Sequence, residues 1–137
     1  MTTLREHTLT VGRYRVVGKY EAVPIDTDGT LGMPSTELGR LELQAAIAVL
    51  AEAESINGDE LRFARKAMGL RQPDLAALLD VATETVSRWE TGAEPIRRQT
   101  QLAVLLYLEH TARHGEPVPL SAKNDNTGAA AVRIVAA

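Results

Sequence analysis

The chain has 137 residues, 45% of which are hydrophobic, and its formal net charge at pH 7 is −3. This length fits one domain or two small ones, and the apolar content suffices for a folded core, which excludes global disorder. The sequence has no cysteine, which excludes disulfides, cysteine-bound zinc and a cysteine nucleophile. It shows no signal peptide and no apolar run near the length of about 18 residues that spans a membrane. We therefore expect a soluble, cytoplasmic protein.

Charge is divided unevenly along the chain. Residues 58–114 carry eight cationic and eight anionic side chains, whereas residues 1–57 carry five cationic and eight anionic ones. A net negative charge is unfavourable for binding nucleic acids, which attract basic surfaces. A neutral segment can still bind DNA if its cations lie on one face, so the charge balance alone does not exclude this function.

The N-terminal region combines strand patterns with one longer helix. Residues 8–25 alternate polar and apolar positions, with Gly12 and Gly18 as turn points, and predict two or three short strands. After a turn-rich run, a helix is predicted over 37–55, and a hinge at 56–58 separates it from the centre of the chain. The predicted cap of this helix is Ser35 or Thr36, and its apolar stripe contains Leu38, Leu41, Ala45, Ala48 and Val49.

Three short helical patterns follow in the centre of the chain. Asn57 and Glu60 form a predicted capping box at the start of the first helix, and Gly69 ends it. The second helix has a narrow face of leucines, and the third spans 83–90. Two short helices joined by a tight turn, the second with polar and cationic side chains facing outward, are typical of a helix-turn-helix.

This segment closely resembles the helix-turn-helix domains of the XRE/Cro family of repressors. The matching residues are Ala67–Ala76 (AMGLRQPDLA) and Glu84–Gly92 (ETVSRWETG). The resemblance implies a mainly α fold, in which a four- to five-helix domain follows a small N-terminal β-containing region. It also implies a DNA-binding transcriptional repressor. Since one recognition helix reads too few base pairs for specificity, we expect a homodimer on an inverted repeat.

The chain departs from the family pattern at three positions. Ala82 replaces the Ser that usually caps the recognition helix, and we expect Thr83 to take over this cap because alanine is poorer by about 1 kcal/mol. Arg71 replaces the Thr that usually caps the second helix. Asp80 replaces the usual turn glycine, and we expect it to adopt a left-handed conformation.

The outward face of the third helix is the predicted base-reading surface, with an ordinary solvated face as the alternative. Arg88 has the chemistry to bind O6 and N7 of guanine, and Glu84 to accept from cytosine N4 or to repel phosphates. Thr85 is predicted to reach a backbone oxygen or a thymine methyl group. The resemblance adds a glutamine that holds a phosphate and braces this helix, and two arginines that grip the DNA backbone. The predicted DNA-binding residues are Gln72, Thr83, Glu84, Thr85, Ser87, Arg88, Arg97 and Arg98.

Two further residues of the third helix are interpreted as structural. Trp89 falls on its inner face beside Val86. By the resemblance, Glu90 pairs with Arg65 of the first helix, where an unpaired charge would be costly. Pro95 then opens a predicted fourth helix that continues to about residue 114, with apolar positions at Leu102, Leu105, Leu106 and Leu108.

The order of strands, turn-rich knuckle, helix and helix-turn-helix also resembles the MqsA/YgiT-type antitoxins, whose knuckle carries Cys-x-x-Cys. Here that run is Ile25–Asp28, so the resemblance implies a degenerate zinc-ribbon region, and we predict no bound metal. Its functional implication is an autoregulating type II antitoxin whose acidic N-terminal half binds a cognate toxin. The alternatives are a stand-alone regulator with a ligand-sensing or dimerising N-terminal region, and a protein-interaction module with a vestigial helix-turn-helix.

No phosphate-binding glycine loop, nucleophile elbow or histidine-centred triad is present, so we predict neither an enzyme nor a cofactor. Asp26 and Asp28 are interpreted as turn residues. The predicted domains are a strand-plus-helix region over 1–56, a DNA-binding domain over 57–114 and a flexible tail over 115–137. Within the tail, Val132–Val135 is a candidate strand for a sheet edge.

Overall fold

The computed structural model describes residues 3–116, which form a small β region followed by five helices. This arrangement confirms the predicted fold class. The predicted strand at 132–135 and the tail beyond residue 116 lie outside the described residues. The elements are β1 (Leu4–Val11), β2 (Tyr14–Glu21), β3 (Val23–Pro24), β4 (Leu31–Gly32), α1 (Ser35–Glu52), α2 (Gly58–Ala67), α3 (Gln72–Leu79), α4 (Thr83–Thr91) and α5 (Arg98–His114).

The first two strands form an antiparallel hairpin with a two-residue turn at Gly12 and Arg13. Gly12 has a φ of +55°, which the first central position of a type II′ turn requires. The prediction that Gly18 is also a turn point is wrong, since it lies inside β2 opposite His7. A side chain at Gly18 would meet Leu41 of α1, with Cβ only 2.5 Å from Leu41 Cδ2. This glycine therefore allows α1 to pack closely on the hairpin.

The helix α1 confirms the predicted helix but begins two residues earlier and ends three residues earlier. The predicted cap at Ser35 or Thr36 is wrong, because Pro34 occupies the cap position and its carbonyl accepts from the amide of Glu37. Leu38 is 39% exposed and lies outside the buried stripe. The residues of α1 that are buried are Leu41, Ala45, Ala46, Val49 and Leu50.

The carbonyls at the end of α1 bond to side chains that are distant in sequence. The Arg98 guanidinium donates to the carbonyls of Ala53 and Glu54 at 2.7 and 3.0 Å. The amide nitrogen of Gln101, a fully buried residue, donates to the carbonyls of Leu50 and Ala53 at 3.0 and 2.8 Å. Because helix ends leave carbonyls without intrahelical partners, these bonds fasten the start of α5 to the end of α1.

The helix α5 begins at Arg98, three residues after the predicted start at Pro95. Two of its four predicted apolar positions lie outside the core, since Leu102 is 42% and Leu106 66% exposed. The buried residues of α5 are Gln101, Val104, Leu108 and Thr111.

One hydrophobic core joins the hairpin to all five helices. It begins with Leu9 and Val11 of β1, continues through α1 and ends at Leu108 of α5. The domain boundary that we predict at residue 56 therefore falls inside the core, and Ile56 itself is only 6% exposed. The hairpin and α1 act as structural supports for the helices after the boundary.

Candidate nucleic-acid interface

The helix α2 starts with the predicted capping box. The amide of Glu60 donates to Asn57 Oδ1 at 3.0 Å, and the amide of Asn57 donates to Glu60 Oε1 at 2.9 Å. Gly69 follows the helix with a φ of +71°, which confirms its role as the stop.

Glu60 has a second partner that sequence reasoning missed. Its carboxylate accepts from the backbone amide and the guanidinium of Arg13, in the hairpin turn, at 2.9–3.0 Å. Burial raises the pKa of Glu60, but the bonds from Arg13 and from the Asn57 amide outweigh it, so the pKa lies below its usual value. The two residues are 47 positions apart, and no local pattern indicates their contact.

The helix α3 is closed at its start by Asp74, although Arg71 replaces the usual capping threonine. The Arg71 amide donates to Asp74 Oδ2 at 2.9 Å, and its guanidinium contacts the same carboxylate at 3.1 Å. The side-chain bond from Arg71 holds the pKa of Asp74 below its usual value. Asp80 ends the helix at φ +58° and ψ +47°, so its predicted left-handed conformation is confirmed.

The helix α4 has no side-chain cap. Ala82 occupies the cap position, and Thr83 is already the first helical residue. The expectation that Thr83 takes over the cap is wrong, because a capping side chain must come from the non-helical residue before the first turn. Within residues 3–116, the cap residue of α4 therefore makes no side-chain bond to the backbone amides of the first turn.

The inner face of α4 consists of Val86, Trp89 and Glu90, which are all buried. This confirms the structural interpretation of Trp89. Arg65 donates to both carboxylate oxygens of Glu90, at 2.7 and 3.0 Å, so the predicted pair is also confirmed. A second cation, Arg62, reaches Glu90 at 3.3 Å and was not predicted. Burial raises the pKa of Glu90, but the bonds from its partners outweigh this effect and lower it.

Gln72, the first residue of α3, connects α3 to α4 through its side chain. Its side-chain amide donates to Glu90 Oε1 at 3.1 Å. This bond braces α4 as the resemblance implies, while the phosphate contact of Gln72 stays a prediction. Glu90 therefore accepts hydrogen bonds from both α2 and α3. These bonds fix the position of α4.

The outer face of α4 carries the predicted base-reading side chains. Glu84 and Arg88 are exposed, whereas Thr83, Thr85 and Ser87 are half-buried. Arg88 Nη1 lies 3.6 Å from Glu94 Oε1, an ion pair that sequence reasoning missed. The structure therefore brings five predicted residues onto one surface and adds a carboxylate at its edge.

The two arginines after α4 are placed differently. Arg97 is exposed at the cap position of α5. The guanidinium of Arg98 is bonded to the carbonyls of α1, as described above. Arg97 is therefore the stronger candidate for a contact with a DNA backbone.

Comparison with known proteins identifies the central segment. Residues 61–106 match a protein-family model described as Helix-turn-helix. These residues form a helix-turn-helix domain. The helix-turn-helix domain covers about a third of the chain, from α2 to the middle of α5, and its presence suggests a DNA-binding transcriptional regulator. No curated protein and no solved structure matched the chain.

Within residues 3–116, no three side chains of the metal-binding types come together in a group that could hold an ion. None of the helices in this range is long and apolar enough to cross a membrane.

Proposed function

We propose that this protein is a sequence-specific DNA-binding repressor that binds an inverted repeat as a homodimer. The observation that carries the proposal is the division of α4 into two faces. Its inner face is buried and fixed through Glu90, while Glu84 and Arg88 are exposed on the other side. A rigid helix with an exposed polar face, preceded by a tight turn, is the arrangement that enters a major groove.

The exposed residues have chemistry suited to direct base readout. The guanidinium of Arg88 can donate two bonds to guanine O6 and N7, and Glu84 can accept from cytosine N4. Glu84 also repels phosphates and thereby disfavours wrong registers. The uncapped first turn of α4 supplies backbone amides, which favour a phosphate oxygen.

Charge limits the affinity expected for non-specific DNA. Residues 58–114 have equal numbers of cations and anions, so few phosphates are neutralised. In the free protein, the ion pair of Arg88 with Glu94 further lowers the positive charge of the α4 surface. When DNA binds, a base would replace the Glu94 carboxylate as the partner of Arg88. Because non-specific binding depends on phosphate contacts, we expect a shallow salt dependence and a large share of affinity from base contacts.

A homodimer supplies the second half-site that one α4 cannot read. Support for a contact between copies comes from α5, where Leu102 and Leu106 are exposed one helical turn apart. Exposed apolar side chains at this spacing are typical of a helix that packs on a partner.

The test is selection of binding sites from a random pool of DNA duplexes, followed by titration of the selected site. We expect an inverted repeat whose half-site centres lie about 10 base pairs apart or a multiple of that spacing. Leu106→Lys should convert dimers to monomers and lower affinity, whereas Leu4→Lys, at a hairpin residue that is 65% exposed, should change neither. Failure to select any sequence would reject the proposal in favour of a protein-interaction module.

The finer form of the proposal is an autoregulating antitoxin with a cognate toxin as a second partner. Its support is the acidic balance of residues 1–57 and their resemblance to antitoxins of the MqsA/YgiT type. Co-purification with the product of a neighbouring gene, and release of that product when acidic residues of the N-terminal half are replaced, would support it. A full-length protein that selects an operator but binds no neighbouring product is a stand-alone regulator.

A further inference from the structure

One edge of the hairpin carries main-chain groups that pair with no strand of the described chain. Val11 and Tyr14 flank the two-residue turn as a hydrogen-bonded pair, so the amides and carbonyls of even-numbered β2 residues point towards β1. Those of Arg15 and Val17 therefore point away from β1. Within residues 3–116, no hydrogen bond reaches these two amides and two carbonyls.

The helix α1 forms one wall of a cleft beside this edge, and it runs in the opposite direction to β2. Arg40, near the start of α1, donates to the carbonyl of Lys19 near the end of β2 at 3.1 Å. Ser55, just beyond the end of α1, accepts from Arg13 just before β2. The cleft has a volume of about 430 Å³ and is lined by Tyr14, Arg15, Val16, Val17, Ala48, Val49, Glu52 and Ala53.

The two faces of β2 differ at this edge. Val16 is half-buried and packs on the core, opposite the buried Leu9 of β1. Arg15 and Val17 lie on the other face, and Val17 is 56% exposed. If a strand is added to the edge, its residue opposite Val16 enters the cleft, whereas its residues opposite Arg15 and Val17 face solvent.

The cleft has apolar walls and a charged rim. Val16 of β2 and Ala48 and Val49 of α1 supply the apolar walls. Glu52, about one turn further along α1, is exposed. Because α1 and β2 run in opposite directions, this carboxylate lies towards the Tyr14 end of the strand. Open main-chain groups beside an apolar cleft between a strand and a helix are suited to an extended peptide.

We propose that this cleft binds an extended peptide segment of a partner protein, which pairs antiparallel with β2 at Arg15 and Val17. A peptide backbone is the occupant that satisfies both amides and both carbonyls of the edge at once. Antiparallel pairing is the more stable arrangement of two strands. The proposal goes beyond DNA binding and does not depend on it, since α4 does not line the cleft.

Alternation along the strand fixes the side chains that the segment needs. The residue opposite Val16 enters the cleft and is apolar. The residue opposite Arg15 lies on the outer face and is acidic, because opposite charges directly across a strand pair attract each other. The residue opposite Tyr14 is again on the cleft side, and it is basic because it meets Glu52 at the rim. Read along an antiparallel segment, the motif is apolar, acidic, basic.

The first experiment titrates the full-length protein with the synthetic peptide acetyl-Ser-Val-Leu-Glu-Arg-Ser-amide and follows the backbone amides by NMR. The Leu, Glu and Arg of this peptide are placed opposite Val16, Arg15 and Tyr14. We expect the largest shifts at the amides of Arg15 and Val17, and hydrogen exchange of both should slow at least about tenfold at saturation. The amide of Thr8, which points outward on the opposite edge of the hairpin, should not change.

Methylation of single peptide nitrogens tests strand pairing without altering the protein. The amide of the peptide Glu points towards β2, so its methylation should weaken binding at least about tenfold. The amide of the neighbouring Leu points away from β2. Methylation at Leu is therefore the matched control and should weaken binding far less.

A charge exchange tests the position of the basic residue. Glu52→Arg should weaken binding of the peptide about fivefold, the upper range for an exposed ion pair. Replacement of the peptide Arg by Glu should restore binding to this variant. Glu54→Arg is the matched control, since Glu54 is exposed and does not line the cleft.

Three results would overturn the proposal. One is that the amides of Arg15 and Val17 do not change in the presence of excess peptide. Another is equal weakening by both methylated peptides, which would show binding without strand pairing. The third is slow exchange of the two amides in the protein alone. Slow exchange that depends on protein concentration would place a second copy on the edge, and slow exchange independent of it would place another part of the same chain there.

Discussion

Replacement of Gly58 by alanine tests how closely α2 packs on the candidate recognition helix. Gly58 is the first residue of α2, and its backbone lies against the end of α4. A Cβ at this position would lie 2.5 Å from the carbonyl oxygen of Trp89 and closer still to that of Glu90. Both neighbours are backbone atoms, which cannot rotate away as a side chain can.

The expected cost follows from these contacts. An ordinary carbon–oxygen contact is about 3.3 Å or longer, so α2 must recede from α4 by about 1 Å. Overpacking of this kind costs about 1–3 kcal/mol, and the better helix propensity of alanine recovers at most about 1 kcal/mol. Gly58→Ala should therefore lower the free energy of unfolding by about 1–2 kcal/mol.

Urea unfolding followed by circular dichroism measures this change. Gly39→Ala is the control, since Gly39 is an exposed residue inside α1 with no atom within 4 Å of an added Cβ. The control should be more stable than the wild type by about 0.5–1 kcal/mol. Equal stability of Gly58→Ala and the wild type would refute the close packing of α2 on α4.

Three further predictions concern the supports of α4. Arg65→Ala should destabilise the fold by about 2–3 kcal/mol. This is less than the cost of a fully unpaired buried charge, because Arg62 and Gln72 still contact Glu90. Neutral replacements of both Arg65 and Glu90 should recover part of the loss, and strictly additive losses would show that the two residues do not interact. The lowered pKa values of Glu60 and Glu90 contribute stability that is fully present above about pH 4.3, the pKa of a glutamate in the unfolded chain, and is lost as the pH falls through the folded pKa values. Glu60→Gln should therefore reduce the loss of stability in acid. An unchanged pH dependence of stability would contradict this assignment. A fragment that starts at Asn57 should fail to fold, because it lacks the α1 surface on which α5 packs. A cooperative unfolding transition of this fragment would instead show that the boundary at residue 56 separates two domains.

Local signals allowed the sequence to predict the helix-turn-helix segment well. The capping box at Asn57, the stop at Gly69 and the left-handed Asp80 each depend on residues within one or two turns. The inner position of Trp89 follows from helical spacing alone. The pair of Arg65 and Glu90 was accessible only through the family resemblance, since the two residues are 25 positions apart.

The contacts that sequence reasoning missed join residues that are far apart in the chain. Arg13 bonds to Glu60, and Arg98 bonds to the end of α1 across 45 positions. No sequence pattern marks Arg13, and the resemblance predicts a DNA contact for Arg98, so their structural roles depend on the docking of whole elements. The exposure of Leu102 and Leu106 does not follow from helical spacing, because residues 102–108 of α5 are all apolar or aromatic.

The most direct test of the proposed function is the binding of Arg88 and Arg97 variants to a selected operator. Arg88→Ala should cost about 1–3 kcal/mol on the preferred site and relax base preference at one position in each half-site. Arg97→Ala should weaken all sequences equally and reduce the slope of log affinity against log salt by about 1. Arg113→Ala, at an exposed residue near the end of α5, is the control and should change neither property. Unchanged affinity and base preference in Arg88→Ala would contradict the assignment of α4 as the helix that reads DNA.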